Sequence, residues 1–406
     1  MPKLLQINVT SNWGSTGKIA EECNRTVRAF GWETYFAYGR YSTPSGSTVL
    51  IGPSPKWDVY GHYLENCVLD NEGLASRSVT RQLVERIRGL QPDIVHLHNI
   101  HDHWLNYQIL FEYLNQTDIK VVWTFHDFWV ITGHCSHFVH VDCQKWQTGC
   151  EKCPQKSSLI DRSKRNYFLK KQLFSDNRNL IIVPVSEWVG ENVRKSFLKD
   201  KRIEVIENGI DTGVFRPIDF QKVLGDFRWF QKVTNGKFVI MAVSSQWKSG
   251  FKGLDDYKAM AKILKNDEVI VLVGVSEDII KTLPSNIIGI KRTNNVCELA
   301  ALYTRADVTC SFSSAETFGL TIVEGYACGT PAVVYDNTAP PALITPETGF
   351  VVKNHDWQDA YAKIQIIKSH GKSVYSEACI CLAREKYDKK YCYAKYVKLY
   401  EEILLC

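Results

Sequence analysis

Glu316 and Glu324 stand with seven residues between them, in a stretch that runs from Ala315 through Phe318-Gly319-Leu320 to Gly329-Thr330-Pro331. Residues 307–312 alternate as a strand, and Gly329 and Pro331 end a short helix before the apolar run 332–335. A helix starting near Phe318, Gly319 and Leu320 leaves backbone N–H groups without intrahelical acceptors, which makes an anion site. A carboxylate beside such donors does not bind phosphate; it accepts hydrogen bonds from hydroxyls. The combination points to a ligand carrying both phosphate and sugar. An ordinary strand–turn–helix with a capping and a surface glutamate fits the same spacing.

Other residues could serve the same chemistry. Lys248 and Lys252, with Gly250 and Gly253 between and after them, follow an apolar strand at 238–243 and suit a diphosphate. Near the N-terminus, residues 4–9 form a buried-type strand and Gly14 and Gly17 lie in the turn after it. The spacing is neither a Walker A loop nor a dinucleotide fingerprint. What it offers is small residues that let a ligand approach the backbone, and a plain tight turn is the alternative. His98 and Asn99 follow a strand at 93–97, and His126 and Asp127 follow another at 120–125. Ligands in open parallel α/β sheets bind outside the carboxyl ends of strands, and that position marks His126 as the candidate among the histidines.

Cys135, Cys143, Cys150 and Cys153 cluster in one irregular stretch. Cys150 and Cys153 have the spacing by which two thiolates grip one ion, and four cysteines suit a tetrahedral structural zinc. Four free thiols are the alternative; His134, His137 and His140 are substitute ligands. Residues 156–173 interleave Arg162, Lys164, Arg165, Lys170 and Lys171 with Leu159, Tyr167 and Phe168. Such a segment can lie on an anionic membrane or form a solvated helix face.

The elements that must position these residues alternate strand and helix along the chain. Ile19, Ala20, Cys23, Val27 and Phe30 give the first helix its apolar face. At 406 residues the chain exceeds one ordinary core, so two domains are expected. The first covers 1–208 and contains a cysteine-rich insertion at about 133–155. The second covers 209–385, after an irregular connection extending to about Phe220, and an amphipathic helix within 386–406 closes the chain. No apolar run spans a bilayer, and the apolar part of the N-terminus is too short for a signal peptide. A net charge of +5 is too mild for nucleic-acid binding, though it favours contact with an anionic membrane. Thirteen cysteines without an export signal argue for reduced thiols.

With these residues assembled, the chain resembles the family-four, retaining glycosyltransferases of GT-B architecture. The carriers are the E-x7-E pattern of Glu316 and Glu324, the Gly14/Gly17 turn, Thr124-Phe125-His126-Asp127, Asn208-Gly209-Ile210-Asp211 and Lys252-Gly253-Leu254. Thr132-Gly133-His134-Cys135 and the later cysteines resemble a subgroup among bacterial exopolysaccharide and lipopolysaccharide (colanic-acid-type) transferases. The resemblance implies two Rossmann-like, doubly wound domains facing across a cleft, with the last helix crossing back to the first. It implies transfer of a sugar from a UDP- or GDP-linked donor to a saccharide or lipid-linked acceptor, with retention of configuration. The site would be cytoplasmic, at the inner face of the cytoplasmic membrane.

By the family pattern Glu324 would bind the ribose and Glu316 the donor sugar. Lys252 and the N–H groups at Phe318, Gly319 and Leu320 would hold the diphosphate. His126 would face the reacting sugar, and Gly14 and Gly17 would border the phosphates. Where the family carries an arginine, this chain has Gln246, Trp247 and Lys248, so Lys248 would substitute as a point charge. No Asp-x-Asp pair sits where it would bridge a divalent ion, so no catalytic metal is expected. Base recognition is expected near 291–294. The competing readings are a nucleotide-sugar epimerase or phosphorylase on the same architecture, or a non-catalytic nucleotide-sugar-binding assembly subunit.

Overall fold

The computed structural model describes residues 1–219, 228–293 and 295–405. Phe220, Asn294 and Cys406, named above at the linker, the base region and the closing segment, lie outside the described residues. The chain divides into two compact units, Met1–Asn208 with Cys392–Cys406, and Gly209–Tyr391.

Unit 1 is a seven-stranded sheet in the order β3-β2-β1-β4-β5-β6-β7. Its strands are β1 Lys3–Asn8, β2 Glu33–Tyr38, β3 Thr48–Ile51, β4 Ile94–Leu97, β5 Lys120–Phe125, β6 Leu180–Pro184 and β7 Arg202–Ile203. Every pairing is parallel; Leu4 faces Ile94 and Ile7 faces Leu97 across the β1–β4 seam. Parallel strands need helical crossovers that cover both faces, and β4 and β6 are accordingly buried throughout. The strand order turns back at β1 and β4, the place where such sheets open a ligand crevice.

Tyr393, Tyr396 and Tyr400 of the closing helix Lys389–Leu405 are buried in this unit. The hydroxyl of Tyr396 meets Thr124 Oγ1 at 2.9 Å, and that of Tyr400 meets His96 Nδ1 at 2.6 Å.

Unit 2 repeats the scheme with six parallel strands in the order β10-β9-β8-β11-β12-β13. They are β8 Phe238–Val243, β9 Glu268–Val273, β10 Ile287–Ile290, β11 Val308–Ser311, β12 Ala332–Tyr335 and β13 Gly349–Val352. The turn-back lies at β8 and β11. No helix among the described residues is long and apolar enough to cross a membrane.

Two sequence expectations need correction. Phe30 is 60 % exposed, because the first helix, Gly14–Ala29, ends just before it. Lys170 is not on a basic surface. It is buried on the helix Ser163–Asp176 and donates to the carbonyl oxygens of Trp129 (2.6 Å) and Thr132 (3.2 Å), with its ammonium 3.4 Å from the Trp129 ring centroid. Strands β3 and β13 and the helix Lys56–Leu69 were not anticipated. They are short edge strands and a helix whose apolar residues face outward, so burial leaves no sequence signature there.

Candidate active site

In unit 2 the lysine turn is fastened to the end of β11. Gly253 has φ +72°, and a Cβ there would sit 2.4 Å from the Phe312 carbonyl oxygen, so only glycine allows this approach. The Ser314 N–H donates to the Phe251 carbonyl at 2.8 Å. These contacts bring Lys252 beside the glutamate turn, where its ammonium donates to Glu316 Oε2 at 2.9 Å and to the Ala315 carbonyl at 3.3 Å. Both side chains are partly covered, at 15 % and 27 % exposure, so the pair is less screened than a surface bridge.

Gly319, at φ +107°, caps the helix Leu320–Ala327. A Cβ on it would meet Leu343 Cδ1 at 2.9 Å. The N–H groups opening this helix have no acceptor within it. Glu324 lies on the same helix, where the buried Tyr303 hydroxyl donates to its Oε2 at 3.0 Å.

The structure therefore brings Lys252, Glu316 and the turn Phe318-Gly319-Leu320 together, with Glu324 on the adjoining helix. It does not bring in Lys248. That residue sits in the turn Trp247–Ser249, two-thirds exposed, and pairs with Asp278 at 2.6 Å.

In unit 1, Gly14 opens the first helix at φ +66° with nothing within 4 Å of a Cβ built on it. Gly17 is different. Its Cβ would lie 2.6 Å from Thr10 Oγ1, so its small size is explained by packing of the helix on its own turn. Asn8 Oδ1 accepts the Asn99 N–H at 3.0 Å and ties the ends of β1 and β4 together.

His126, at the end of β5, is buried, and its Nε2 lies 2.9 Å from His98 Nδ1; His98 Nε2 lies 2.7 Å from Gln6 Oε1. Burial lowers the pKa of His126 to about 4 and holds those of His96 and His98 well below the usual value, so all three rings are neutral at pH 7. His101 behaves oppositely. Burial alone would lower it, yet the charge of Asp127 and their 2.9 Å hydrogen bond raise it to about 9, and Asp127 falls to about 2. Asp127 also accepts the Trp129 N–H at 2.9 Å, which shapes the chain just past His126.

Gln6, Tyr400, His96 and Tyr303 were not anticipated. Of these only His96 has a local signal, its place among apolar neighbours on the buried strand β4.

Cys135, Cys143, Cys150 and Cys153 line one small cavity together with His134, and none is in a disulfide. Among the described residues no three His, Cys, Asp or Glu side chains are drawn together at metal-ligand spacing. A larger cavity of ≈ 290 Å³, lined among others by Tyr38, Trp57, Leu83 and Trp104, contains no carboxylate, imidazole or amine and offers no chemistry.

Known proteins share this layout. Residues 20–214 match the family described as Glycosyltransferase Family 4, and residues 227–377 that described as Glycosyl transferases group 1. The protein of Escherichia coli (strain K12) named for colanic acid biosynthesis, the glycosyl transferase WcaC, is 26 % identical over 226 residues. That match takes in 51 % of this chain and 54 % of the relative, so the chain spans about half of the relative's length. Among solved structures, a sucrose-phosphate synthase from Thermosynechococcus elongatus superposes with a TM-score of 0.73 at 15 % identity, covering 100 % of both chains. HepE of Anabaena, solved in complex with UDP-glucose, gives 0.67 at 15 % identity over 98 % of this chain and 99 % of that one.

Proposed function

We propose, from the premise that this chain belongs to the glycosyltransferases with a Family 4 and a group 1 domain in the GT-B fold, that it moves a sugar from a nucleotide-diphosphate donor to a saccharide or lipid-linked acceptor, with retention of configuration, in building a surface polysaccharide. The observation that carries this reading is the group in unit 2: a lysine and a carboxylate 2.9 Å apart at the start of a helix bearing a second carboxylate. Lys252 and the N–H groups at Phe318, Gly319 and Leu320 take the diphosphate, Glu316 the donor sugar and Glu324 the ribose. Departure of the leaving group builds negative charge on the diphosphate, and fixed cations and helix donors stabilise it without reorganising. Lys248 remains a secondary candidate for that charge. His126 serves the transfer from the end of β5, and Gly14 leaves open backbone at the end of β1. The UDP-glucose named for HepE and the colanic acid named for WcaC support a UDP-linked donor and a surface-polymer acceptor.

A lipid-linked acceptor calls for a membrane-facing surface. Along the helix Lys56–Leu69, Trp57, Tyr60, Leu64 and Val68 recur at helical spacing and are 72 %, 67 %, 63 % and 44 % exposed. Leu159, 76 % exposed, is tied to this helix by its N–H to the Cys67 carbonyl at 2.8 Å, and Lys56 and Lys156 are exposed nearby. Aromatic and apolar side chains edged by lysines suit an anionic interface, and this face rests on the cytoplasmic leaflet.

The test is a thermal-shift screen against nucleotide-diphosphate sugars, followed by a transfer assay with the stabilising donor. A UDP-sugar should stabilise the protein and be consumed with release of UDP. No response to any such donor overturns the reading. Transfer is expected to persist in excess chelator, since lysines and helix donors supply the charge; loss that magnesium alone restores would contradict this. Sedimentation with anionic but not neutral vesicles, abolished by Trp57→Ser with Leu64→Ser, checks the membrane face.

A further inference from the structure

The segment between β5 and the helix Ser163–Asp176 contains only three short turns, Trp129–Ile131, Val139–Val141 and Lys145–Gln147, as regular structure among its described residues. Such a segment needs something other than backbone ladders to order it. Cys135, Cys143, Cys150 and Cys153 come from four points along it and line a single small cavity. The cavity is roofed by Phe138 and Trp146, whose rings stack 4.7 Å apart.

Hydrogen-bond donors are already aimed at the sulfur atoms. The Gly133 N–H donates to Cys150 Sγ at 3.2 Å. His134 Nε2 lies 3.0 Å from Cys153 Sγ, and its Nδ1 is held by both oxygens of the buried Asp70 at 2.9 and 3.0 Å. A carboxylate–histidine pair and a backbone N–H directed at sulfur form the outer shell that steadies thiolate ligands around a metal.

We propose that Cys135, Cys143, Cys150 and Cys153 bind one structural zinc ion as four thiolates, with Asp70 and His134 orienting Cys153. The Cys150-Glu151-Lys152-Cys153 spacing supplies the chelating pair, and Cys135 and Cys143 close the tetrahedron. The four sulfurs line one space without converging to ligand spacing. Binding displaces the thiol protons that remain on the cysteines and draws the sulfurs to about 2.3 Å from the ion. The ion would thereby anchor a segment that begins directly after Asp127 and is closed on itself by the Phe128 N–H to the Ser136 carbonyl at 3.0 Å. This inference does not depend on the transfer reaction proposed above.

The experiment is elemental analysis of the untagged full-length protein purified under reducing conditions without added metal. About one zinc per chain is expected. Replacement by Co²⁺ should give the thiolate-to-cobalt charge-transfer band and intense visible bands of a tetrahedral all-sulfur site. Cys143→Ser and Cys150→Ser should each lose the ion, while Cys297→Ser, in unit 2, keeps it. Should the serine variants fail to fold, titration of the wild-type protein with a mercurial reagent still decides, because zinc must be released as these thiols react. Protein that carries no metal and takes up none with all thiols reduced overturns the proposal. So does a cobalt spectrum without sulfur-to-metal charge transfer.

Discussion

The imidazole of His126 is hydrogen-bonded to that of His98, Nε2 to Nδ1 at 2.9 Å, with the rings inclined by only 15°. The direction of this bond follows from what lies beyond it. Gln6 Oε1 faces His98 Nε2 and can only accept, which assigns the His98 proton to Nε2. His98 is neutral, which leaves Nδ1 as its acceptor, and the bond between the rings is therefore donated by His126 Nε2–H. His126 is neutral as well and keeps its lone pair on Nδ1. Gln6 and His98 are thus positioning residues that select one tautomer of the candidate catalytic ring.

That selection can be observed. Nitrogen-15 shifts of the His126 ring should report a protonated Nε2 and an unprotonated Nδ1 near pH 7. His98→Phe should scramble the tautomer and lower kcat by a factor corresponding to about 1–3 kcal/mol, the cost of an unsatisfied buried polar group, with little change in donor KM. A wild-type ring protonated on Nδ1 would contradict the arrangement.

Acid stability of unit 1 follows from the same rings. His62 and His126 have pKa values lowered by burial to about 4, and His96 and His98 lie well below normal. In the unfolded chain these groups take up protons near pH 6.5, so between there and about pH 4 the unfolded state binds more protons. Stability is then fully present above pH 6.5 and is lost as the pH falls, by up to about 1.4 kcal/mol per pH unit for each such ring. His101, raised to about 9, works in the other direction: its contribution is present below pH 6.5 and is lost as the pH rises through about 9. Urea melts at pH 5, 6.5 and 9 should show the highest midpoint at the middle value. A midpoint that rises on acidification would refute this.

Lys170 tests packing rather than catalysis. Its buried ammonium satisfies two carbonyls and lies over the Trp129 ring. Lys170→Met fills similar volume but strands both carbonyls, so a loss of about 1–3 kcal/mol is expected in equilibrium unfolding. A neutral result would show that water replaces the ammonium.

Tyr303 bears on donor affinity. Its hydroxyl occupies one oxygen of Glu324 and fixes the carboxylate that the ribose is proposed to meet. Glu324→Ala should weaken UDP binding more than Tyr303→Phe, for which about 0.5–1.5 kcal/mol is expected, the net worth of one hydrogen bond. Calorimetry with UDP reads both, and equal effects would remove the distinction between contact and positioning.

How far the sequence foretold these arrangements depends on the residue. Buried parallel strands such as β5 and β9 announce themselves as apolar runs, and the Glu316 turn is punctuated by Gly319, Gly329 and Pro331. The helix Lys56–Leu69 was invisible because its apolar residues serve the surface. The Gln6–His98 and Tyr303–Glu324 pairings join residues far apart in the chain, and no local pattern encodes which partners the topology will bring together. Lys248 was chosen for its charge and its place after a strand, but the short turn Trp247–Ser249 directs it to Asp278. Gly17 was read as room for a ligand or as a plain tight turn, and Thr10 Oγ1 lies where its Cβ would stand.

The Lys252–Glu316 pair makes the most discriminating prediction. Each partner neutralises the other. Under the proposed function a diphosphate would compete with Glu316 for Lys252, while a sugar hydroxyl would give Glu316 a new partner. Glu316→Ala should therefore leave UDP affinity unchanged or improved, because the lysine is released, and yet abolish most transfer. Lys252→Ala should weaken UDP and donor alike by about 1.5–3 kcal/mol, the range for a charged hydrogen bond, or roughly 10- to 100-fold in Kd. Its effect should shrink as salt is raised, since the lost attraction is electrostatic. If instead Glu316→Ala weakens UDP as severely as Lys252→Ala does, the carboxylate serves to hold the lysine in place, and its proposed role on the donor sugar fails.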